Sequence, residues 1–202
     1  MKLTPDHGQW GILGGAFDPV HRGHLVLAGE IHRMKKLTGV LFVPSVRHPF
    51  KKDQCKASFS DRVTMLKLAV KTYDHFLVSE IETDMNLSGY TLDTIRAFKQ
   101  LYPKTEFSFI IGADNLGDLS RWHDPEQILK EIKVLVGSRP AYGSDQHTAF
   151  PHGSIELVPT CLVHISSSEI RRKIKDNISA EQLDKLVPES VRKYIFENGL
   201  YR

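Results

Sequence analysis

The sequence predicts an α/β fold: a Rossmann-like, doubly wound, mostly parallel sheet with helices on both faces and a small helical C-terminal part. Three observations carry this. Short apolar runs alternate with amphipathic stretches, as βαβ units do. Several runs are continuously apolar, which suits strands buried on both faces. The residues just after each run are polar, and in such sheets ligands bind beyond the carboxyl ends of the strands.

Residues 10–15, WGILGG, read as a buried strand closed by a glycine turn. Over about 22–37, Leu25, Leu27, Ala28, Ile31 and Met34 recur near helical spacing. GVLFVP, 39–44, is a second strand stopped by its proline, and 45–58 is a polar loop. A helix over 59–73 carries Val63, Met65, Leu66, Leu68, Ala69 and Val70. HFLVSEI, 75–81, is a third strand, followed by a loop over 82–89. The next helix, 90–102, ends before Pro103, and FSFIIGAD, 107–114, is a fourth strand. Asp124 as N-cap, Pro125 at the first helical position and Glu126 in the first turn start another helix. KVLVGSR and SIELV supply a fifth and a sixth strand. From Ser166 onward the chain reads as helices, so one domain spans 1–202, with about 166–202 helical on the same core.

The 202 residues are 41% hydrophobic, enough for a sizeable core, and the 25% that are charged mix both signs. A net charge of +3 without clustered Lys or Arg speaks against nucleic acid and suits a small anionic substrate. Cys55 and Cys161 lie far apart and form no CxxC, so a reducing cytoplasm is expected. No stretch resembles a signal peptide, and none reaches the ~20 apolar residues of a membrane span.

The densest chemistry lies in GGAFDPVHRGH, 14–24. Gly14 and Gly15 lack a Cβ and let a ligand approach the backbone, and the helix start that follows favours phosphate. Neither GxGxxG nor GxxxxGK[ST] is present. His21 and His24 stand at i, i+3 on one helix face, which Gly23 keeps bare. By residue type alone they read as structural caps, as metal ligands or as phosphate contacts. HEXXH is absent and no clear third metal ligand accompanies them. Near the other end, Ser166-x-x-Glu169 reads as a capping box. Ser167, Ser168 and Arg171 then gather at the positive end of that helix, a cradle for a triphosphate.

GGAFDPVHRGH resembles the GG-x-FDP-x-H-x-GH signature of the HxGH nucleotidyltransferase superfamily, and HISSSEIRR resembles its I-S-S-T-x-I-R motif, with Ser168 in place of Thr. Between them the chain is similar to the bacterial nicotinate-nucleotide adenylyltransferase family. The stretches that carry this are RVTMLKLA (62–69), SGYTLDT (88–94), IIGADNLGDLSRWHD (110–124) and the closing NGLYR. The resemblance implies transfer of AMP from ATP to nicotinate mononucleotide, giving nicotinate adenine dinucleotide and pyrophosphate in NAD biosynthesis. It implies Mg²⁺ with ATP as co-substrate, small-molecule partners, no nucleic acid, no membrane and a cytoplasmic enzyme; whether the chain forms a homo-oligomer stays open.

Carried over residue by residue, the resemblance makes His21 and His24 catalytic. Gly14, Gly15, Phe17, His21, His24, Ser167, Ser168 and Arg171 would bind ATP. Lys51, Tyr90, Thr91, Asp114 and Trp122 would bind the mononucleotide. Taken singly, Trp122 reads as a core or interface aromatic, Asp114 as a cap, Lys51 as a solvated lysine and Arg62 as a surface residue with a packed stem. The sequence departs from the family at His48-Pro49-Phe50-Lys51, where Pro-Pro-His-Lys is usual, so His48 is left out of the catalytic set. Gly89 is an insertion in the SYT-x-DT stretch. The rival readings are the same chemistry on nicotinamide mononucleotide and a non-catalytic nucleotide-sensing module.

Overall fold

The computed structural model describes residues 4–46, 55–138, 153–161 and 165–202. Within them, β1 (Gly8–Gly15), β2 (Gly39–Pro44), β3 (Phe76–Val78), β4 (Thr105–Gly112), β5 (Lys133–Ser138) and β6 (Ile155–Pro159) form one sheet. Its order is β3-β2-β1-β4-β5-β6, with every neighbouring pair parallel. Parallel neighbours need crossovers. Among the described residues these run through α1 (Arg22–Lys35), α2 (Phe59–Val70), α3 (Ile81–Asp84), α4 (Thr91–Leu101), α5 (Ala113–Leu116) and α6 (Pro125–Glu131). The chain then continues through α7 (Ser167–Lys175), α8 (Ala180–Asp184) and α9 (Glu189–Glu197).

Successive strand side chains point to opposite faces. Leu13, Phe42, Ile110 and Leu135 therefore join one core, with Leu25, Ala28 and Ile31 of α1 and Met65 and Leu66 of α2. Ile12, Leu41, Val43, Phe109, Ile111, Val134 and Val136 join the other, with Ile95 and Phe98 of α4 and Ile128 and Leu129 of α6. Burying each such side chain contributes about 2 kcal/mol against chain entropy. The C-terminal helices belong to the first core through Ile170, Ile174, Leu183, Val191 and Ile195. Arg22 also donates its backbone N–H to Leu186 O (2.8 Å) and its Nε to Asp184 O (2.9 Å), which ties α1 to that helical part.

Local differences from the sequence reading have local causes. The expected loop after β3 opens with the helical turn α3, because Ile81 is buried in the second core. Asp124 precedes α6 at φ 53 and makes no side-chain cap; its carbonyl instead accepts from Gln127 and Ile128. Ser166 caps α7 by accepting from Glu169 N (3.1 Å), but the box is not closed, since the Glu169 carboxylate turns to Lys173 at 3.5 Å. A full box forms at Ser58 and Asp61, at the start of α2.

Candidate active site

The strand order reverses between β1 and β4, and a crevice of about 1000 Å³ opens at their carboxyl ends. Gly14 and Gly15 line its floor. Neither has a positive φ. A Cβ on Gly14 would lie 3.3 Å from the Phe109 ring and one on Gly15 3.3 Å from the Phe17 ring, so the missing carbons leave room for aromatic packing as well as for a ligand. Phe17 itself sits at φ 50, an uncommon conformation for a side-chain-bearing residue, and its buried ring meets His24 edge-on at 5.0 Å.

His21 is the N-cap of α1 and 6% exposed; His24 is half-buried one turn on. Their rings stack at 3.6 Å. The His21 backbone N–H donates to His24 Nδ1 (3.2 Å). In the neutral ring that bond leaves the His24 proton on Nε2, ready to donate to a ligand. Burial lowers the His21 pKa to about 4. Burial, and then the neighbouring His21, hold His24 well below the usual histidine range. Both rings are therefore neutral donors at pH 7. The buried Nδ1 of His21 has no hydrogen-bond partner among the described residues.

Tyr90, Thr91, Asp114 and Trp122 line the same crevice. Gly89 turns at φ 87 just before α4, and the Tyr90 side chain does not cap the helix. The first turn of this 11-residue helix is therefore capped by backbone alone, the Asp93 and Thr94 amides donating to Tyr90 O (3.1 and 3.3 Å). Trp122 is half-buried and braced edge-on by Phe109 at 5.7 Å. His123, also in the wall, stacks on Tyr90 at 4.2 Å. Ser167 lines the crevice and donates Oγ–H to Pro19 O (2.9 Å), which joins the two sequence motifs in space. Ser168 and Arg171 stand outside the lining. Arg171 Nη1 donates to Asp18 O (2.6 Å) and its Nη2 to Ser168 Oγ (3.3 Å), so the guanidinium is engaged by the turn. Lys51, with the departing His48-to-Lys51 segment, lies outside the described residues.

Three buried charges escape a reading of the sequence by types. Asp18, 2% exposed, accepts from the Lys56 and Ala57 amides (2.7 and 3.1 Å). Arg62, read as a surface residue, is 2% exposed; its Nη1 donates to Ala16 O (2.7 Å) and Ser45 O (3.0 Å), clamping the ends of β1 and β2. Glu82, 6% exposed, accepts from Val46 N (3.0 Å) and Thr94 Oγ1 (3.1 Å) in the crevice wall, and burial raises its pKa. For Asp18 and Arg62 the signal was their place inside recognisable motifs; for Glu82 the sequence offers none.

A profile of the cytidylyltransferase-like family matches residues 12–173. A protein of Carboxydothermus hydrogenoformans, named a probable nicotinate-nucleotide adenylyltransferase, is 39% identical over 199 residues, covering 95% of this chain and 97% of its own. One of Methylacidiphilum infernorum with the same name is 35% identical over 190 residues, covering 94% and 90%. Among solved structures, the Plasmodium falciparum nicotinic acid mononucleotide adenylyltransferase complexed with NaAD superposes with a TM-score of 0.80. It covers 96% of this chain and 98% of its own at 22% identity, a likeness of fold.

Proposed function

The chain belongs to the cytidylyltransferase-like family, among the nicotinate-nucleotide adenylyltransferases, and from that premise we propose how its crevice works. The enzyme transfers AMP from ATP to nicotinate mononucleotide, releasing pyrophosphate and forming nicotinate adenine dinucleotide, a step of NAD biosynthesis. The observation that carries this is the union, in one crevice, of two neutral imidazole donors, a glycine turn, the first turn of α4 and Trp122.

In this reading ATP lies over Gly14, Gly15 and Phe17, with His21, His24 and Ser167 on its phosphates. Ser168 and Arg171 reach those phosphates only from the rim. The mononucleotide occupies the side of Tyr90, Thr91, Asp114 and Trp122, its ring on the indole and its carboxylate at the α4 amides, with Lys51 toward its phosphate. An oxygen of the mononucleotide phosphate attacks the α-phosphorus, and the bond to the β-phosphate oxygen breaks. That phosphate is already a nucleophile at neutral pH, so the site has to align it and stabilise charge. The His24 Nε2–H donates to the α-phosphoryl oxygens as negative charge grows there.

Among the described residues no group of three or more His, Cys, Asp or Glu gathers around one point as metal ligands. A Mg²⁺ brought with ATP would need no such cluster, since that ion is held largely by substrate oxygens and water, and it would supply charge neutralisation for the departing pyrophosphate. Two exposed free thiols, Cys55 and Cys161, support a reducing, cytoplasmic setting. No helix of the described residues is long and apolar enough to cross a membrane.

The test is pyrophosphate release from ATP and Mg²⁺ with nicotinate mononucleotide, run beside nicotinamide mononucleotide. The expected outcome is turnover with a clear preference for the acid. Faster turnover of the amide would reassign the acceptor, and none with either would leave a nucleotide sensor.

A further inference from the structure

We propose that Tyr201 is a positioning residue for this transfer: its hydroxyl orients the Asp18 carboxylate and, through it, the turn that carries His21 and His24. The proposal rests on the adenylyl-transfer reading of the crevice. Tyr201 O–H donates to Asp18 Oδ1 at 2.8 Å, across 183 positions of sequence. The same carboxylate takes the Lys56 and Ala57 amides and stands 3.6 Å from Arg171 Nη1. The turn is gripped again at the Asp18 carbonyl by Arg171 and at the Pro19 carbonyl by Ser167. His21 follows two residues later. A rotation of the Asp18 side chain is therefore transmitted through a short, fully buried stretch to the imidazole pair.

The position of Tyr201 is itself held against a local preference. Its φ of 67 lies in the left-handed region that residues with a Cβ adopt reluctantly, which persists where surrounding contacts over-determine it. Burial, and then the charge of Asp18, raise the pKa of its hydroxyl, so it remains a donor at every ordinary pH. Since Asp18 already has amide and guanidinium donors, the hydroxyl is dispensable for neutralising it. What it adds is direction, and transfer chemistry is sensitive to sub-ångström misplacement.

The experiment compares Tyr201→Phe with Tyr194→Phe. Tyr194 makes the same kind of bond, to Asp61 Oδ1 at 2.9 Å, away from the crevice lining. In Tyr201→Phe, kcat is expected to fall roughly tenfold with the KM of both substrates within about twofold, the mark of a misplaced transition-state contact. Tyr194→Phe is expected to lose a similar amount of thermal stability at unchanged kcat. Asp18→Asn combined with Tyr201→Phe should be no slower than Asp18→Asn alone. The His21 and His24 imidazole resonances should shift in Tyr201→Phe and stay in place in Tyr194→Phe. A Tyr201→Phe enzyme with wild-type kcat and unmoved imidazole resonances overturns the proposal, as does a double variant whose loss is the product of the single losses. A wild-type protein that releases no pyrophosphate would instead sink the activity itself, and the resonances would still test the coupling.

Discussion

The tautomer of His24 is set by one backbone bond from His21, so in the proposed site it is an oriented donor and not a phosphate contact by residue type alone. His24→Ala is expected to lower kcat about a hundredfold, with the KM for ATP changing much less, as for loss of a donor aimed at developing charge. Equal losses in both would make it a binding residue. The low pKa of His21 has a second consequence, for stability. The unfolded chain takes up this proton below 6.5 and the folded chain only near 4. The stabilisation is thus fully present above pH 6.5 and is lost as pH falls toward 4, on the order of 3 kcal/mol. Urea unfolding at stepped pH should show that slope, and His21→Asn should flatten it. That the glycines and paired histidines of GGAFDPVHRGH line one crevice was legible in the sequence; the neutrality of the imidazoles was not, since burial is a property of neighbours that lie far away in sequence.

At the scale of elements, the crevice is built from strand ends. Glycine stands where each central strand stops: Gly15 on β1 and Gly112 on β4. A Cβ on Gly112 would come within 2.4 Å of Asp114 Oδ1. That carboxylate is exposed and can swing aside, so Gly112→Ala should cost little stability. Misplacing Asp114 should raise the KM for the mononucleotide roughly tenfold, about one charged hydrogen bond. An unchanged KM would remove Asp114 from the binding set. Strand and helix identities followed from period and turn residues, and β2 even kept its expected ends at Gly39 and Pro44. The caps at Asp124 and Ser166 departed from their expected form because cap geometry depends on where the incoming chain is held, which spacing alone does not encode.

Across the whole molecule, the C-terminal helices are part of the core that supports the histidines. Ile195 is fully buried in it, and Ile195→Ala should cost about 3 kcal/mol. A single calorimetric transition, shifted as one by that substitution, is expected if residues 1–202 form one domain; two separable transitions would divide them. The alternation of runs was enough to determine, from sequence, a parallel doubly wound sheet, and the glycine turn and paired histidines marked a crevice at its carboxyl edge, while the nucleotidyl-transfer reading came from the likeness of whole motifs to a family. These are local signals, written in adjacent residues. Tertiary structure alone decided that Arg171 braces Asp18, that Arg62 is buried against the ends of β1 and β2, that Glu82 is buried in the crevice wall, and that Tyr201 touches the turn beside His21. Burial and long-range hydrogen bonding arise only when segments separated by the length of the chain are packed together, and no short window of sequence carries them.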